Sequence, residues 1–421
     1  MRRQNHFSIL LGLVAGALAG IGANFAVAHY PVFKTVLQIF TSYFAEPIGQ
    51  IFLRLLFMIV IPLVFASLAK GVAHLEIHKL GKIGLKTALY FLSLTILACT
   101  IGLFLVNIFK PGVGFDALTQ ARLLETFQGQ AQEAAQKAKV AEFGIQTFIQ
   151  FIPKNPLQSG ANNEMIPWIV FTLFFGLGLG FLEKEKAVWL LKPIDALNDV
   201  MVAIVGVIMR MAPLAVFCLL FAITGKFGWL ILKQLLYYVS VVFFGYLLVL
   251  LVVYPLMILF LGKMKPWEFY KRALPVLVTA FSTSSSAATL PTSIKITEEE
   301  LKVSPDIAGF VLPLGATLNM NGTALFEGVA VLFLAQVFGI DLTLGQQMIV
   351  LILAVVSAIG AAGVPGGSIP LLALILATVG VPPEGLAVIL GVDRLLDMGR
   401  TVLNVTGDMT AAVYIQKSVK T

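Results

Sequence analysis

Ile389-Leu-Gly-Val-Asp-Arg-Leu-Leu-Asp-Met-Gly-Arg-Thr-Val-Leu-Asn-Val-Thr-Gly-Asp-Met-Thr-Ala-Ala-Val-Tyr414 is long and apolar enough to cross a membrane, yet it carries three aspartates and two arginines. At about 100° per residue, Asp393, Asp397, Arg400, Asn404 and Asp408 fall within roughly an 80° sector of one helix face. A charge inside a bilayer costs at least a few kcal/mol, so such a stripe needs a protein- or water-lined interior and marks a transport path.

The surrounding chain fits that reading. Of 421 residues, 58% are hydrophobic and 12% charged, the composition of an all-α polytopic membrane protein. The net charge of +7 does not point to nucleic acid, because the basic residues cluster at the ends of apolar runs. Cys99 and Cys218 lie in apolar runs and read as packing residues. His6, His29, His74 and His78 lack metal-ligand spacing. No nucleophile–base pair or metal motif is present, and the serine run lacks a partnering histidine, so an enzyme is disfavoured and no cofactor is expected.

Apolar runs fall at about 7–28, 46–69, 84–109, 165–182, 194–223 and 230–262, interrupted by a polar segment at 110–144. The first follows Arg2 and Arg3 and reads as a signal-anchor helix with a cytoplasmic N-terminus. Lys70, Lys79, Lys82 and Lys86, then Lys184 and Lys186, then Lys263, Lys265, Lys271 and Arg272 all land on one side if each run crosses once, as the positive-inside rule requires. Lys417 and Lys420 put the C-terminus there too.

After Arg272 the pattern changes. Two short apolar arms flank a serine turn centred on Ser284 to Ser286, giving a re-entrant hairpin at 267–298. A second hairpin, 344–379, turns around Gly360-Ala-Ala-Gly-Val-Pro-Gly-Gly367. Neither arm of either hairpin can span about 30 Å. Each hairpin precedes a longer helix: 305–338, with Asn319-Met-Asn-Gly-Thr323 in its middle, and 382–416, with the charged stripe. This is an inverted repeat. Irregular backbone at membrane depth lines a cavity, and paired interrupted segments locate a transporter's central site.

At these residues the chain resembles the glutamate transporter family of sodium-coupled dicarboxylate and acidic amino acid symporters. The likeness covers nearly the whole chain. It is carried by Arg54-Leu-Leu-Phe-Met-Ile-Val-Ile-Pro-Leu-Val-Phe-Ala-Ser67, the serine hairpin, Pro313-Leu-Gly-Ala-Thr-Leu-Asn-Met-Asn-Gly-Thr-Ala-Leu325, Ala361-Ala-Gly-Val-Pro-Gly366 and Asp397-Met-Gly-Arg-Thr-Val-Leu-Asn-Val-Thr-Gly-Asp408. The resemblance implies eight transmembrane helices plus two re-entrant hairpins, an elevator-type mechanism and a homotrimer. It divides the chain into scaffold at 1–69 and 110–223, and transport domain at 70–109 and 224–421. Short loops point to a prokaryotic inner membrane, with lipid as a partner.

Arg400 presents a planar, always-charged fork suited to a carboxylate. From the residues alone, the lesser alternative is an internal salt bridge to Asp397 or Asp408. The resemblance makes it the ligand of an acidic substrate's side-chain carboxylate and makes Asp397 the ligand of the ammonium group. It also assigns the α-carboxylate to Asn404 and Thr323, with Thr401 beside them, and backbone contacts to Ser285, Ser286, Val364, Pro365 and Gly366. The serines are equally good helix caps, and the glycines good turns. Arg394 either supplies an auxiliary positive charge that other members place at positions matching Ser284 or Met398, or forms a structural ion pair. Asp393 reads as structural.

For sodium, the resemblance implies a first site at Gly315, Asn319, Asn404 and Asp408. A second would use backbone carbonyls near Thr317, Ala358, Ile359 and Ala361. A third is degraded: Asn321 stands where the family has aspartate, and Phe91, Leu94 and Thr95 align with its Tyr, Thr and Ser. Glu327 aligns with the proton-carrying glutamate of animal members; a structural glutamate is the other reading. The expected function is sodium-driven, and in part proton-driven, symport of aspartate or glutamate. Dicarboxylate or neutral amino acid symport, or an anion channel, are the alternatives.

Overall fold

The computed structural model describes residues 6–30, 32–73, 81–114, 149, 152–162, 165–208, 210–361, 363 and 366–420. The polar insertion from residue 115 onward, His74, His78, Lys79, Val364 and Pro365 lie outside them. All regular structure among the described residues is helical.

In chain order the helices are α1 (His6–His29), α2 (Val32–Phe40), α3 (Glu46–Met58), α4 (Val60–Ala73), α5 (Gly81–Phe109), α6 (Pro156–Ala161), α7 (Met165–Phe181), α8 (Lys184–Ile208), α9 (Ala212–Phe227), α10 (Trp229–Leu248), α11 (Tyr254–Phe260), α12 (Pro266–Thr283), α13 (Ser286–Glu299), α14 (Pro305–Leu318), α15 (Asn321–Val337), α16 (Leu344–Gly360), α17 (Ile369–Thr378) and α18 (Leu386–Lys420). Five-residue π-helical turns join α2 to α3 and α10 to α11.

Among the described residues, three helical stretches are long and apolar enough to cross a membrane: Gly84–Phe109, Trp229–Phe260 and Pro305–Val337. The sequence run 194–223 needs correction. It is not one straight span: α8 begins ten residues earlier, at Lys184, and meets α9 at a bend of 58°. Pro213 in the first turn of α9 explains the break, since proline has no N–H and clashes with the preceding turn. The charged helix α18 is long enough at 35 residues but, with its charged stripe, is less apolar than these three.

Packing separates into two groups. In the first, α1 and α3 lie on α9, and α4 lies on α7 and α8. Two partly exposed ion pairs tie helices of this group: Lys70 pairs with Asp195 at 2.9 Å between α4 and α8, and Lys226 with Glu46 between α9 and α3. In the second group, α5 packs on α15 and α16, while α10, α12, α14 and α15 surround α18. The groups touch where α1 and α9 meet α18 and where α16 and α17 meet α4. Burial in the second group is greatest along α15. Every side chain of α15 except Gln336 is buried.

The two hairpins have distinct turn chemistry. Between α12 and α13, Ser284 takes the left-handed conformation (φ 49°, ψ 33°) and Ser285 caps α13 through its side chain. Ahead of α16, Thr343 and Gln346 form a reciprocal capping box. The helix pair α14–α15 breaks at Asn319 and Met320 (ψ 63° and 64°), which are not helical. The chain breaks at Ser284–Ser285, at Asn319–Met320 and between Gly360 and Ile369, within a few residues of where the sequence puts these breaks, but the last helix is not interrupted: α18 runs unbroken from Leu386 to Lys420.

Candidate functional site

The hairpin tips meet. Ser285 Oγ donates to the Gly363 carbonyl at 2.7 Å, and the Ala287 N–H donates to the same oxygen at 3.2 Å. Behind this seam lies a small cavity of about 20 Å³. Its walls come from the first hairpin tip (Ser284, Ser286), the broken helix (Met320, Thr323), the second tip (Ala361, Gly363, Gly367, Ser368) and α18 (Asp397, Arg400, Thr401, Asn404). Three interrupted segments far apart in sequence thus bring their irregular backbone against one stretch of α18.

Arg400 and Asp397 are both buried, and they bind each other. Arg400 Nε and Nη2 donate to Asp397 Oδ1 at 3.0 and 2.5 Å, and Nη2 also reaches Asp393 Oδ1 at 3.3 Å. Nη1 has no partner. The Arg400 guanidinium carbon sits 4.4 Å from the centre of the Phe326 ring, a cation–π contact that holds the fork flat. Of the two internal salt bridges the sequence allows, Asp397 is used; Asp408 is engaged elsewhere.

Asp397 is the hub. Its Oδ2 accepts from the Gly366 N–H at 3.2 Å and from Arg394 Nη1 at 3.4 Å. Gly366 sits at φ 76°, a conformation that glycine adopts without strain, and this lets the second tip aim its amide at α18. Arg394 is buried beside Asp397 and is absent from the cavity wall. Its Nε and Nη2 lack partners.

Asn404 takes a capping role: its Oδ1 accepts the Gly322 N–H at 2.8 Å, and its Nδ2 donates to Thr323 Oγ1 at 3.3 Å. Thr401 bonds back to the Asp397 carbonyl at 2.8 Å. Ser285 spends its hydroxyl on the tip seam and on capping α13, accepting from the Ala288 N–H at 3.2 Å. Of the three serines of this turn, Ser284 and Ser286 line the cavity. The cap reading of the turn holds at Ser285.

Below the cavity, Asn319 Nδ2 donates to Asp408 Oδ1 at 2.8 Å, while Asn319 Oδ1 is buried without a partner. A Cβ on Gly315 would run into the Asp408 carboxylate, so the glycine is what lets α14 approach α18. A buried carboxylate, a free amide oxygen and the end of a broken helix make a donor-oxygen set suited to a hard cation. Helices α14 and α16 also bring their C-terminal ends, Thr317 and Ala358 to Ala361, against each other. Helix C-termini carry partial negative charge. Thr317 Oγ1 itself turns back to Leu314 O at 2.9 Å, leaving backbone oxygens as the available groups.

At the third position the polar groups satisfy one another. Thr95 Oγ1 lies 2.8 Å from both Phe91 O and Asn321 Oδ1; Asn321 Nδ2 donates to Tyr254 Oη at 3.1 Å; and Tyr254 Oη donates to Leu403 O at 2.9 Å. Phe91 and Leu94 are buried beside this chain. Glu327, also fully buried, accepts a hydrogen bond from Ser357 on the second hairpin, and its Oε1 has no partner.

Ser357, Tyr254 and Phe326 escaped the sequence reading. Ser357 and Tyr254 sit in apolar runs where a single hydroxyl is unremarkable. Phe326 neighbours Glu327, and only the fold shows which of the two faces Arg400.

The description "Sodium:dicarboxylate symporter family" matches residues 6–418. The chain is 38% identical over 414 residues to a proton/sodium-glutamate symport protein of Bacillus subtilis (strain 168), covering 97% of this chain and 91% of that protein. It is 37% identical over 373 residues to the proton/glutamate-aspartate symporter of Escherichia coli (strain K12), covering 88% and 84%. To excitatory amino acid transporter 3 of Mus musculus it is 33% identical over 461 residues, covering 99% and 86%.

Proposed function

This chain belongs to the sodium:dicarboxylate symporter family, and from that premise we propose that it is a secondary active symporter of acidic amino acids, aspartate or glutamate. The observation that carries the substrate class is Arg400: a buried fork with Nη1 unpaired, at the wall of the cavity between the hairpin tips. Arg400 takes the side-chain carboxylate and Asp397 the ammonium group. Thr323, Asn404 and Thr401, with tip backbone from Ser284 to Ser286 and around Gly366, take the α-carboxylate. Arg394 backs Asp397 from outside the cavity as the auxiliary positive charge.

The family transports, so this is a membrane protein without a catalytic step. In our reading it works as a homotrimer in a prokaryotic inner membrane, with both termini cytoplasmic. The group built on α18 slides as an elevator against the group built on α9 and α4. The two hairpins act as gates to the two sides.

Sodium binds at Gly315, Asn319, Asn404 and Asp408, and at the carbonyls around Thr317 and Ala358 to Ala361. The third position does not hold sodium. A cation needs oxygen lone pairs, but Asn321 Oδ1 already accepts from Thr95 and its amide presents N–H groups. Asn321→Asp should restore a ligand there, raising the sodium cooperativity of uptake by about one ion. Unchanged sodium dependence in a folded variant would reject this account of the third position.

Glu327 carries a proton in the place of that ion. Glu327→Gln should abolish the effect of an imposed pH gradient on uptake while leaving sodium-driven exchange; a retained pH effect would clear Glu327 of the role. The general test is uptake into proteoliposomes with sodium, proton and potassium gradients imposed independently, with aspartate, glutamate, succinate and serine as competitors. Counterflow of labelled aspartate distinguishes a carrier from a channel. Preferential competition by succinate or serine would overturn the substrate class.

A further inference from the structure

Arg400 is arranged so that one of its two carboxylate partners is expendable. The Nε–Nη2 edge of the guanidinium grips Asp397 at 3.0 and 2.5 Å. The other usable edge, Nη1–Nη2, is half free: Nη1 has no partner, and Nη2 reaches Asp393 at the longer distance of 3.3 Å. An incoming carboxylate binding this edge with both oxygens takes Nη1 outright and competes with Asp393 for Nη2. Asp397 keeps its grip and stays available for an ammonium group.

The displaced carboxylate of Asp393 is buried, and an unpaired buried charge is costly. Two hydroxyls stand ready for it. Tyr238 and Tyr246, two turns apart on α10, are both buried, and neither hydroxyl has a partner. Their rings are fixed: Tyr238 stacks on Phe333 at 4.4 Å, and Tyr246 stands edge-on to Phe243 at 5.9 Å. A Cβ on Gly399 would lie 2.9 Å from the Tyr246 ring, so Tyr246 sits directly against the residue before Arg400. Helix α10, which carries both tyrosines, packs on α18. Buried phenols nearly always find an acceptor, and here the acceptor becomes available when Arg400 is taken.

We propose that Asp393 is a resident stand-in for the substrate's side-chain carboxylate on Arg400, handed to the hydroxyls of Tyr238 and Tyr246 when an acidic substrate binds. The inference rests on the reading of Arg400 as the carboxylate ligand. Asp393, Tyr238 and Tyr246 are then positioning residues: they set how firmly Arg400 is held without substrate, and so how strongly the site prefers an acidic over a neutral amino acid.

The test is a mutant cycle on the full-length protein, reading dissociation constants for L-aspartate and L-serine with saturating sodium. Tyr246→Phe combined with Tyr238→Phe should weaken aspartate about fivefold to twentyfold while changing serine less than twofold. In the Asp393→Asn background the same pair of changes should shift aspartate less than twofold, and Asp393→Asn alone should tighten it. Tyrosine effects equal in both backgrounds, or equal for aspartate and serine, would overturn the proposal, as would weaker aspartate binding in Asp393→Asn. If the asparagine protein does not fold, Asp393→Ala serves in the same cycle. Arg400→Lys is the separate control: an unchanged aspartate constant there would fail the underlying reading instead.

Discussion

Replacing Arg400 by lysine will weaken L-aspartate binding by about 30-fold to 150-fold, roughly 2–3 kcal/mol of the loss that follows disruption of a buried, hydrogen-bonded charge pair. Lysine keeps the positive charge, so Asp393 and Asp397 remain compensated and the fold survives. What it loses is the planar fork. The Nε–Nη2 edge that holds Asp397 and the free Nη1 merge into one ammonium group, which cannot bind both carboxylates in two directions. The flat contact with Phe326 at 4.4 Å is lost as well. Serine, which has no side-chain carboxylate, should change only a few-fold. Equal losses for aspartate and serine would mean that Arg400 supports the site's shape and does not read the substrate.

The second large effect concerns Asp408, and it has two opposite signs. In Asp408→Asn the half-saturating sodium concentration for uptake should rise at least tenfold, because a hard cation loses the carboxylate of its site. Without sodium the same variant should melt at a temperature equal to or above that of the parent. The parent must keep a buried carboxylate whose hydrogen bond in the structure is from Asn319 at 2.8 Å, at a desolvation cost that an amide does not incur to the same degree. Sodium stabilises the parent by mass action, and that stabilisation should vanish in the variant. Melting curves of both proteins with and without sodium test this. A variant destabilised in the absence of sodium and still protected by it would place the ion elsewhere.

The charged face of α18 was legible because helical spacing alone puts Asp393, Asp397, Arg400, Asn404 and Asp408 together. The hairpins were legible because serine and glycine runs interrupt apolar arms too short to span. Partner choice was not. Arg400 has carboxylates at three and seven positions before it and eight after, and only side-chain geometry shows that it takes the first two. Asn321 finds Tyr254 across 67 residues and Thr95 across 226, distances at which no local pattern exists. The bend between α8 and α9 was missed for another reason. Proline at the start of a helix is as common as proline at a break, so Pro213 alone does not distinguish them.

The seam between the hairpin tips also governs how well the empty protein insulates one compartment from the other. Both of its hydrogen bonds end on one oxygen, the Gly363 carbonyl. At about 1 kcal/mol each they contribute roughly 2 kcal/mol to holding the tips together. Because one carbonyl accepts from both donors, a single displacement of Gly363 removes both bonds at once.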